Sequence, residues 1–383
     1  MYSAARPKNP LGWRRGDAVN ARRNFLKGIG VAAAAGMAAP ALAQTTPDIE
    51  WRITSSFNPS LDLIYGGGET LARTLSDLTD GHFKLKIAPA GEIAPASEAL
   101  DAVESGKADG AHTALAYAWN KNPSFIFATA TPFGMNARQH TAWLAEGGGG
   151  AMIDELLAEH KSLGLPAGNT GGQMAGWFRK EIRNVQDLQG LKIRLGGFAG
   201  KIFQTLGAEP VAMPKDGVFN ALQSGALDMF EWLGPYDDEK FGQPIAKAAP
   251  NYYYPGWWKG GMQLHLVVAK DKYEALPKTY RSALRAACAV ADRDMLAKYD
   301  AANPAAVKRL VVGGASLRLF PQDVMEACYK TASDLYEQLG LDNPGFKKIA
   351  ESYLGFRADQ YLWWQVEEYS FDNFMIRQRH AKT

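Results

Sequence analysis

From residue 49 onward, short apolar runs alternate with longer segments whose apolar residues recur every three or four positions. "IEWRITSSF" (49–57) and "FKLKIAP" (83–89) predict strands, and about Asp62 to Thr79 has the helical period between them. "ALDAVESGKADGA" (99–111) reads as a helix stopped at Ser105-Gly106 and followed by a short buried strand. "NPSFIFATATPFG" (122–134) predicts a buried strand with a turn. A helix over about Gln139–Leu163 carries "GGGG" (147–150), which weakens or interrupts it. "GLKIRLG" (190–196) and "GMQLHLVVAKD" (261–271) are further strands, and helices dominate beyond them. The last helix, about Ala358–Arg379, holds Tyr361, Trp363, Trp364, Tyr369, Phe371 and Phe374. That is too much aromatic surface for a free helix, so it should pack on a lobe, across both lobes, or on a second subunit.

One pattern occurs twice. "VFNALQSGALDMF" (218–230) matches 99–111 at Ala102/Ala221, Ser105/Ser224, Gly106/Gly225 and Asp109/Asp228, at a constant offset of 119. The strands 83–89 and 190–196 precede the two copies in the same order. Two related strand–helix–strand units predict an α/β chain of two lobes. Ligands of open α/β sheets sit beyond the carboxyl ends of strands. The offset sets Glu231 opposite His112, each three residues after the repeated Asp and each expected to face the cleft.

The N-terminal residues change the charge picture. Arg22-Arg23-Asn24-Phe25-Leu26-Lys27, an uncharged run and Ala41-Leu42-Ala43 read as an export signal of twin-arginine type, cleaved after Ala43. Residues 1–43 carry seven of the 42 Lys/Arg and one of the 40 Asp/Glu, so the remainder has a net charge of −4. A mildly acidic surface without basic runs argues against nucleic-acid binding. No later stretch has the length of a membrane span. Cys288 and Cys328 lie in helical patterns, as buried thiols or as a bridge between helices, and the six histidines show no zinc spacing.

Several residues could hold a ligand. Arg194 ends a strand before two glycines, and its fork suits a carboxylate. Glu231, between Phe230 and Trp232, would repel such a ligand by several kcal/mol in a poorly hydrated cleft. It is therefore neutral, paired with Arg194, or bridged by a cation, with Gln173 of "NTGGQMAGW" supplying a neutral oxygen. Phe57, Tyr117 and Trp119 on one lobe, Trp177, Phe178 and Trp232 on the other, and "YYYPGWW" (252–258) offer apolar walls.

These segments, with "GGQMAGWFRKEI" (171–182), "DLQGLKIRLGGFAGKIFQTLGAEPV" (187–211) and "ALQSGALDMFEWLGPYDD" (221–238), resemble the periplasmic substrate-binding proteins of TRAP transporters, most of all those for 2-oxo acids. The resemblance covers nearly all of residues 48–380. It implies a two-lobed periplasmic binding protein-like fold with a hinge and a long aromatic-rich C-terminal helix. Lobe one would take 48–165 and about 263–300, lobe two 166–262, and C-terminal helices 301–383, with hinges near 166–170 and 259–263. The resemblance further implies that Arg194 pairs with the substrate carboxylate, with Gln173, Phe57, Tyr117 and Trp232 around it. Gln173, Glu231 and the backbone carbonyl of Trp232 would hold Na⁺ or Ca²⁺ bridging the substrate. The implied protein is a non-catalytic periplasmic carrier of a small 2-oxo or 2-hydroxy carboxylate. It would serve TRAP membrane permease subunits and would form a homodimer through the C-terminal helix. Twin-arginine export departs from that pattern. The residues alone also leave open a binding protein of an ATP-driven importer, or a periplasmic enzyme with Glu231 as base.

Overall fold

The computed structural model describes residues 47–241 and 244–380. The predicted export signal, residues 1–43, lies outside them. The described strands are, in chain order, β1 Ile49–Ser55, β2 Phe83–Ala88, β3 Gly110–Thr113, β4 Ser162–Asn169, β5 Gly176–Phe178, β6 Lys192–Arg194, β7 Glu209–Pro210, β8 Met229–Phe230, β9 Asn251–Tyr254, β10 Gln263–Ala269 and β11 Ser316–Leu319. They form two mixed sheets, ordered β2-β1-β3-β10-β4 and β11-β9-β5-β8-β6-β7.

Apolar spacing explains the first lobe. β1 turns Trp51 and Ile53 into the core, where Trp51 meets Phe83 edge-on at 4.9 Å. The helix Asp62–Leu78 buries Ile64, Leu71 and Leu75 along one stripe, against the long helix Lys278–Val312. In both repeated units the glycine after the helix has a left-handed backbone, φ 75° at Gly106 and 83° at Gly225. β3 then pairs parallel with β1, and β8 pairs parallel with β6. The second echo is weaker than its sequence suggests: β2 pairs only with β1, so the counterpart of β6 beside the repeat is β1.

Four expectations are corrected. Residues 123–128 form a short 3-10 helix, started by Asn122, whose side chain accepts from Ser124 N, and by Pro123. Its Phe125, Ile126 and Phe127 are buried, and a buried apolar run has no period that separates strand from helix. The glycine-rich segment interrupts its region as expected, into the helices Ala137–Ala145 and Gly149–Ala158, but helix does not reach Leu163, because residues 162–163 already belong to β4. The region 301–383 is not helical throughout. The helix Lys278–Val312 runs through position 301, and β11 pairs with β9 at the edge of the second sheet. The tail is two helices, Pro344–Val366 and Glu368–His380. Its Trp363 and Phe371 are 53% and 61% exposed, while Tyr361 reaches Gly134 O and Arg138 lies over Trp364, so its own chain covers this aromatic surface only in part.

Cys288 and Cys328 are free and buried in different helices. Burial raises both thiols, Cys328 up to about 12, so neither is a reactive thiolate. Among the described residues no helix is long and apolar enough to cross a membrane.

The chain crosses between the sheets after β4, again before β10, and a third time along the helix Lys278–Val312 that leads to β11. The first two crossings lie side by side. Thr170 N donates to Met262 O at 3.2 Å, Gln173 N to Lys259 O at 3.2 Å, and Gly256 N to Gln173 O at 3.1 Å. Asn169 Nδ2 donates to Gln263 Oε1 at 3.1 Å, which ties the ends of β4 and β10. This paired crossover brings Gln173 and Lys259 to the junction where the ends of β1, β3, β6 and β8 converge.

Candidate ligand-binding site

A cavity of about 510 Å³ opens at that junction. Lobe one supplies Phe57, Tyr117 and Trp119. Lobe two supplies Arg194, Glu231 and Trp232, and the second crossing supplies Trp258 and Lys259. Arg194, Glu231 and Lys259 are the charged residues among those lining it, with a formal sum of +1.

β6 and β8 fix the charged pair. Arg194 lies opposite Phe230 in the parallel register, so Glu231 follows directly off the strand end. Gly176 makes this register accessible to β5: its φ is 99°, and a Cβ there would sit 2.4 Å from Phe230 O. Arg194 Nε donates to Met213 O at 3.1 Å, and Nη1 lies 3.5 Å from Glu231 O. The guanidinium lies over Phe230 and Trp232, at 5.5 and 5.8 Å from the ring centroids. Burial lowers its pKa and the Glu231 charge works against that, so Arg194 is a positioned cation with donors to spare.

The sequence left the partner of Glu231 open among three states. The structure supplies a fourth. Glu231 is 8% exposed, and its Oε1 accepts a hydrogen bond from Lys259 Nζ at 2.7 Å. Sequence reasoning missed Lys259. The available signal was its place directly after the aromatic run 252–258, at the second crossing.

Gln173 is not among the cavity-lining residues. It is buried beneath them, with Nε2 donating to Thr170 Oγ1 at 2.8 Å. Its Oε1 has no hydrogen-bond partner among the described residues. A buried acceptor in that state is costly unless something completes it. An amide oxygen of this kind and the Glu231 carboxylate are the donor types that a hard cation such as Na⁺ or Ca²⁺ takes. Among the described residues no group of three or more His, Cys, Asp or Glu could hold a metal, so a site here needs neutral oxygens. The indole Nε1 atoms of Trp232 and Trp258 are likewise buried and unpartnered among the described residues.

The walls match expectation in part. Phe57 and Tyr117 line the cavity at 6.2 Å from each other, and Trp119 meets Phe198 of lobe two at 5.6 Å. Tyr117 is 42% exposed, and partial desolvation followed by the Glu231 charge raises its phenol above the ordinary value, so it is a neutral donor. Trp177 and Phe178 are core residues of β5: Trp177 stacks on Tyr252 at 3.9 Å and donates to Asp238. His112, the repeat counterpart of Glu231, does not line the cavity. It is fully buried against the helix Asp62–Leu78, near Gly67 and Gly68, and desolvation pushes it down to about 4, so it is neutral.

Residues 54–342 match the family described as bacterial extracellular solute-binding protein, family 7. The chain is 41% identical over 328 residues to a monocarboxylate 2-oxoacid-binding periplasmic protein of Nostoc sp., covering 86% of this chain and 89% of that one. A TRAP transporter solute-binding protein of Bordetella bronchiseptica, solved with copurified calcium and picolinate, superposes with a TM-score of 0.84 at 39% identity, covering 88% of this chain and all of that one. A TRAP periplasmic solute-binding protein of Pseudoalteromonas atlantica, solved with sodium and pyruvate, gives 0.80 at 31% identity, covering 85% and 99%. The two-sheet architecture, the cleft between the lobes and these likenesses agree, and the chain belongs to family 7 of the bacterial extracellular solute-binding proteins, the DctP-type receptors of TRAP transporters.

Proposed function

We propose that this receptor captures a monocarboxylate 2-oxo acid in the periplasm and hands it to the membrane subunits of a TRAP transporter. The observation that carries this reading is the placement of Arg194 beside Glu231 on one wall of the apolar cavity, with the Glu231 carboxylate held by Lys259 and with aromatic side chains of the other lobe opposite. Arg194 takes the ligand carboxylate bidentately. The first turn of the helix Gly197–Thr205, whose Gly197, Phe198 and Ala199 line the same wall, adds backbone donors for the anion. Tyr117 donates from the opposite lobe, and Phe57 and Trp232 cover the ligand. With either Lys259 or a Na⁺ beside Glu231 the formal charge is +1, which matches one carboxylate and disfavours a dicarboxylate. At about 510 Å³ the cavity exceeds a three-carbon acid, so longer apolar-tailed 2-oxo acids fit beside pyruvate.

A cation reconciles Glu231 with an anionic ligand. Glu231, Gln173 Oε1 and the Trp232 carbonyl would hold Na⁺ or Ca²⁺, which supplies positive charge to the ligand oxygens. The relatives solved with calcium or sodium support this reading. Closure of the lobes about the paired crossings, near 166–170 and 259–263, would exclude water from the ligand. The reading is tested by calorimetric titration of a panel: pyruvate, a branched longer 2-oxo acid, lactate and a 2-oxo dicarboxylate. Saturable binding of the monocarboxylates, with the dicarboxylate at least tenfold weaker, is expected. Preference for the dicarboxylate would refute it.

Two finer points belong to the same reading. The exposed aromatic tail and a groove of about 410 Å³ lined by Phe133, Tyr329, Tyr336 and Leu354 suit a homodimer, in which the tail of one copy docks on the other. Phe371→Asp with Phe374→Asp should shift a dimer to monomer by light scattering, and an unchanged mass would count against it. Residues 1–43 would direct twin-arginine export. Replacement of Arg22 and Arg23 by lysine should then stop periplasmic accumulation.

A further inference from the structure

Lys259 enters the reading above only as one unit of the formal charge, yet it holds the residue on which that reading turns. Its Nζ donates to Glu231 Oε1 at 2.7 Å, and its side chain is 22% exposed against 10% for that of Glu231. It lines the same cavity, and its backbone carbonyl accepts from Gln173 N. The ammonium therefore sits on one of the two side chains that would carry a bridging metal, and its main chain is bonded to the main chain of the other residue. Charge makes the same point. Arg194 with Glu231 alone sum to zero, and Lys259 restores the +1 that a bound Na⁺ would give.

We propose that Lys259 is the tethered, resident cation of this site, so that a metal ion is optional for ligand capture and binds only by displacing the lysine. This rests on the proposed carboxylate-binding reading. Without metal, the ammonium neutralises Glu231 and presents its remaining N–H donors to the ligand oxygens. With metal, the ion takes the Glu231 carboxylate and the Gln173 amide oxygen, and the lysine swings to solvent with its charge intact. No proton is exchanged. A tethered group competes at an effective concentration on the order of millimolar or above. Weak calcium sites of extracellular modules bind at roughly 10⁻⁴–10⁻³ M. The lysine therefore raises the free-ion concentration that the metal needs above what the same oxygens would need without it.

The test is calorimetry on the chelated mature protein in sodium-free choline buffer, wild type against Lys259→Met. In the first arm CaCl₂ is titrated without organic ligand, and Lys259→Met should bind Ca²⁺ at least tenfold tighter. In the second arm pyruvate is titrated with and without 2 mM CaCl₂. Wild-type affinity should change less than about threefold, while Lys259→Met should lose at least tenfold without Ca²⁺ and recover with it. Lys259→Arg, which keeps the charge, should follow wild type, and Lys259→Gln replaces the Met variant if that one does not fold. Equal Ca²⁺ affinities in wild type and Lys259→Met would overturn the proposal, as would wild-type pyruvate binding that vanishes on chelation. If neither protein binds any 2-oxo acid in any buffer, the substrate reading fails, and the Ca²⁺ arm alone decides the role of Lys259.

Discussion

The two copies of the repeated unit end in opposite chemistry. In lobe one β3 carries His112 next to its last residue, neutral, wholly buried and turned under a helix. In lobe two the equivalent position is Glu231, a carboxylate beside Arg194 and Lys259 on the wall of the cavity. The same strand–helix–strand frame delivers a residue to the same end of a strand in each lobe, but only one of the two points into the cleft. Lobe one thus gives the cleft Phe57 and Tyr117 as surface and a donor, and lobe two gives it charge. A fold repeated in duplicate does not duplicate its site.

The comparison extends to what each lobe buries. Lobe one buries His112, His140 and His265, all held neutral by desolvation, at about 4, about 4 and about 3. Lobe two buries Asp237 and Asp238, which desolvation pushes up to about 7 and about 6. Asp238 accepts from Trp177 Nε1 at 2.9 Å, Tyr252 OH at 2.7 Å and Leu233 N at 3.2 Å. The residues around Glu231 and Trp232 are anchored through this carboxylate.

The largest effect is expected at that anchor. Asp238→Ala strands three donors in the core of lobe two and should cost about 3–5 kcal/mol in denaturant unfolding. A loss below 1 kcal/mol would show that the anchor is replaceable. Next comes the pair of repeat positions themselves. Glu231→Gln leaves Lys259 without its anchor and removes the one carboxylate of the cation site, so ligand binding should weaken about tenfold and direct Ca²⁺ binding should be lost, since one charge-assisted interaction is worth roughly 1.5–3 kcal/mol. His112→Gln should lower stability and leave ligand affinity within twofold in the folded protein. Reversed outcomes would break the comparison.

The pH dependence should separate the lobes more gently. The histidines have depressed folded pKa values, so their contribution is present above about 6.5 and is lost as pH falls toward about 4. The aspartates have raised folded values, so theirs is present at acid pH and is lost as pH rises through about 6–7. Asp237→Asn should raise the melting temperature near pH 8 by a few degrees and leave it unchanged near pH 4. An unchanged melting temperature at pH 8 would mean that Asp237 does not titrate there. The smallest effect is expected at Tyr117→Phe, which removes one neutral donor and should weaken ligand binding about two- to tenfold.

Much of this could be read from the chain. The Ser-Gly stops at 105–106 and 224–225 marked both helix ends because only a left-handed residue closes them cheaply. Arg194 and Glu231 were legible as neighbours because each ends a short apolar strand. Other features were not legible. The run Phe125–Ala128 is buried on all sides, so its apolar pattern has no period, although Asn122-Pro123 carried a helix-start signal. Gln173 was placed in the cleft from its glycine-rich loop, yet its side chain turns inward to Thr170. Lys259 pairs with a residue 28 positions away, and no local pattern encodes such a contact. The tail read as a packed helix because aromatic content cannot say whose surface covers it.

The most direct measurement is calorimetric titration of pyruvate, in buffer containing Na⁺ and Ca²⁺, into wild type and Arg194→Ala. Loss of a charge-assisted bidentate contact in a partly buried site costs about 2–5 kcal/mol. Saturable one-to-one binding to wild type is expected, with Arg194→Ala at least thirtyfold weaker and unchanged in melting temperature by more than a few degrees. Equal affinity in the two proteins would contradict the assignment of lobe two as the charged, ligand-gripping half of the site.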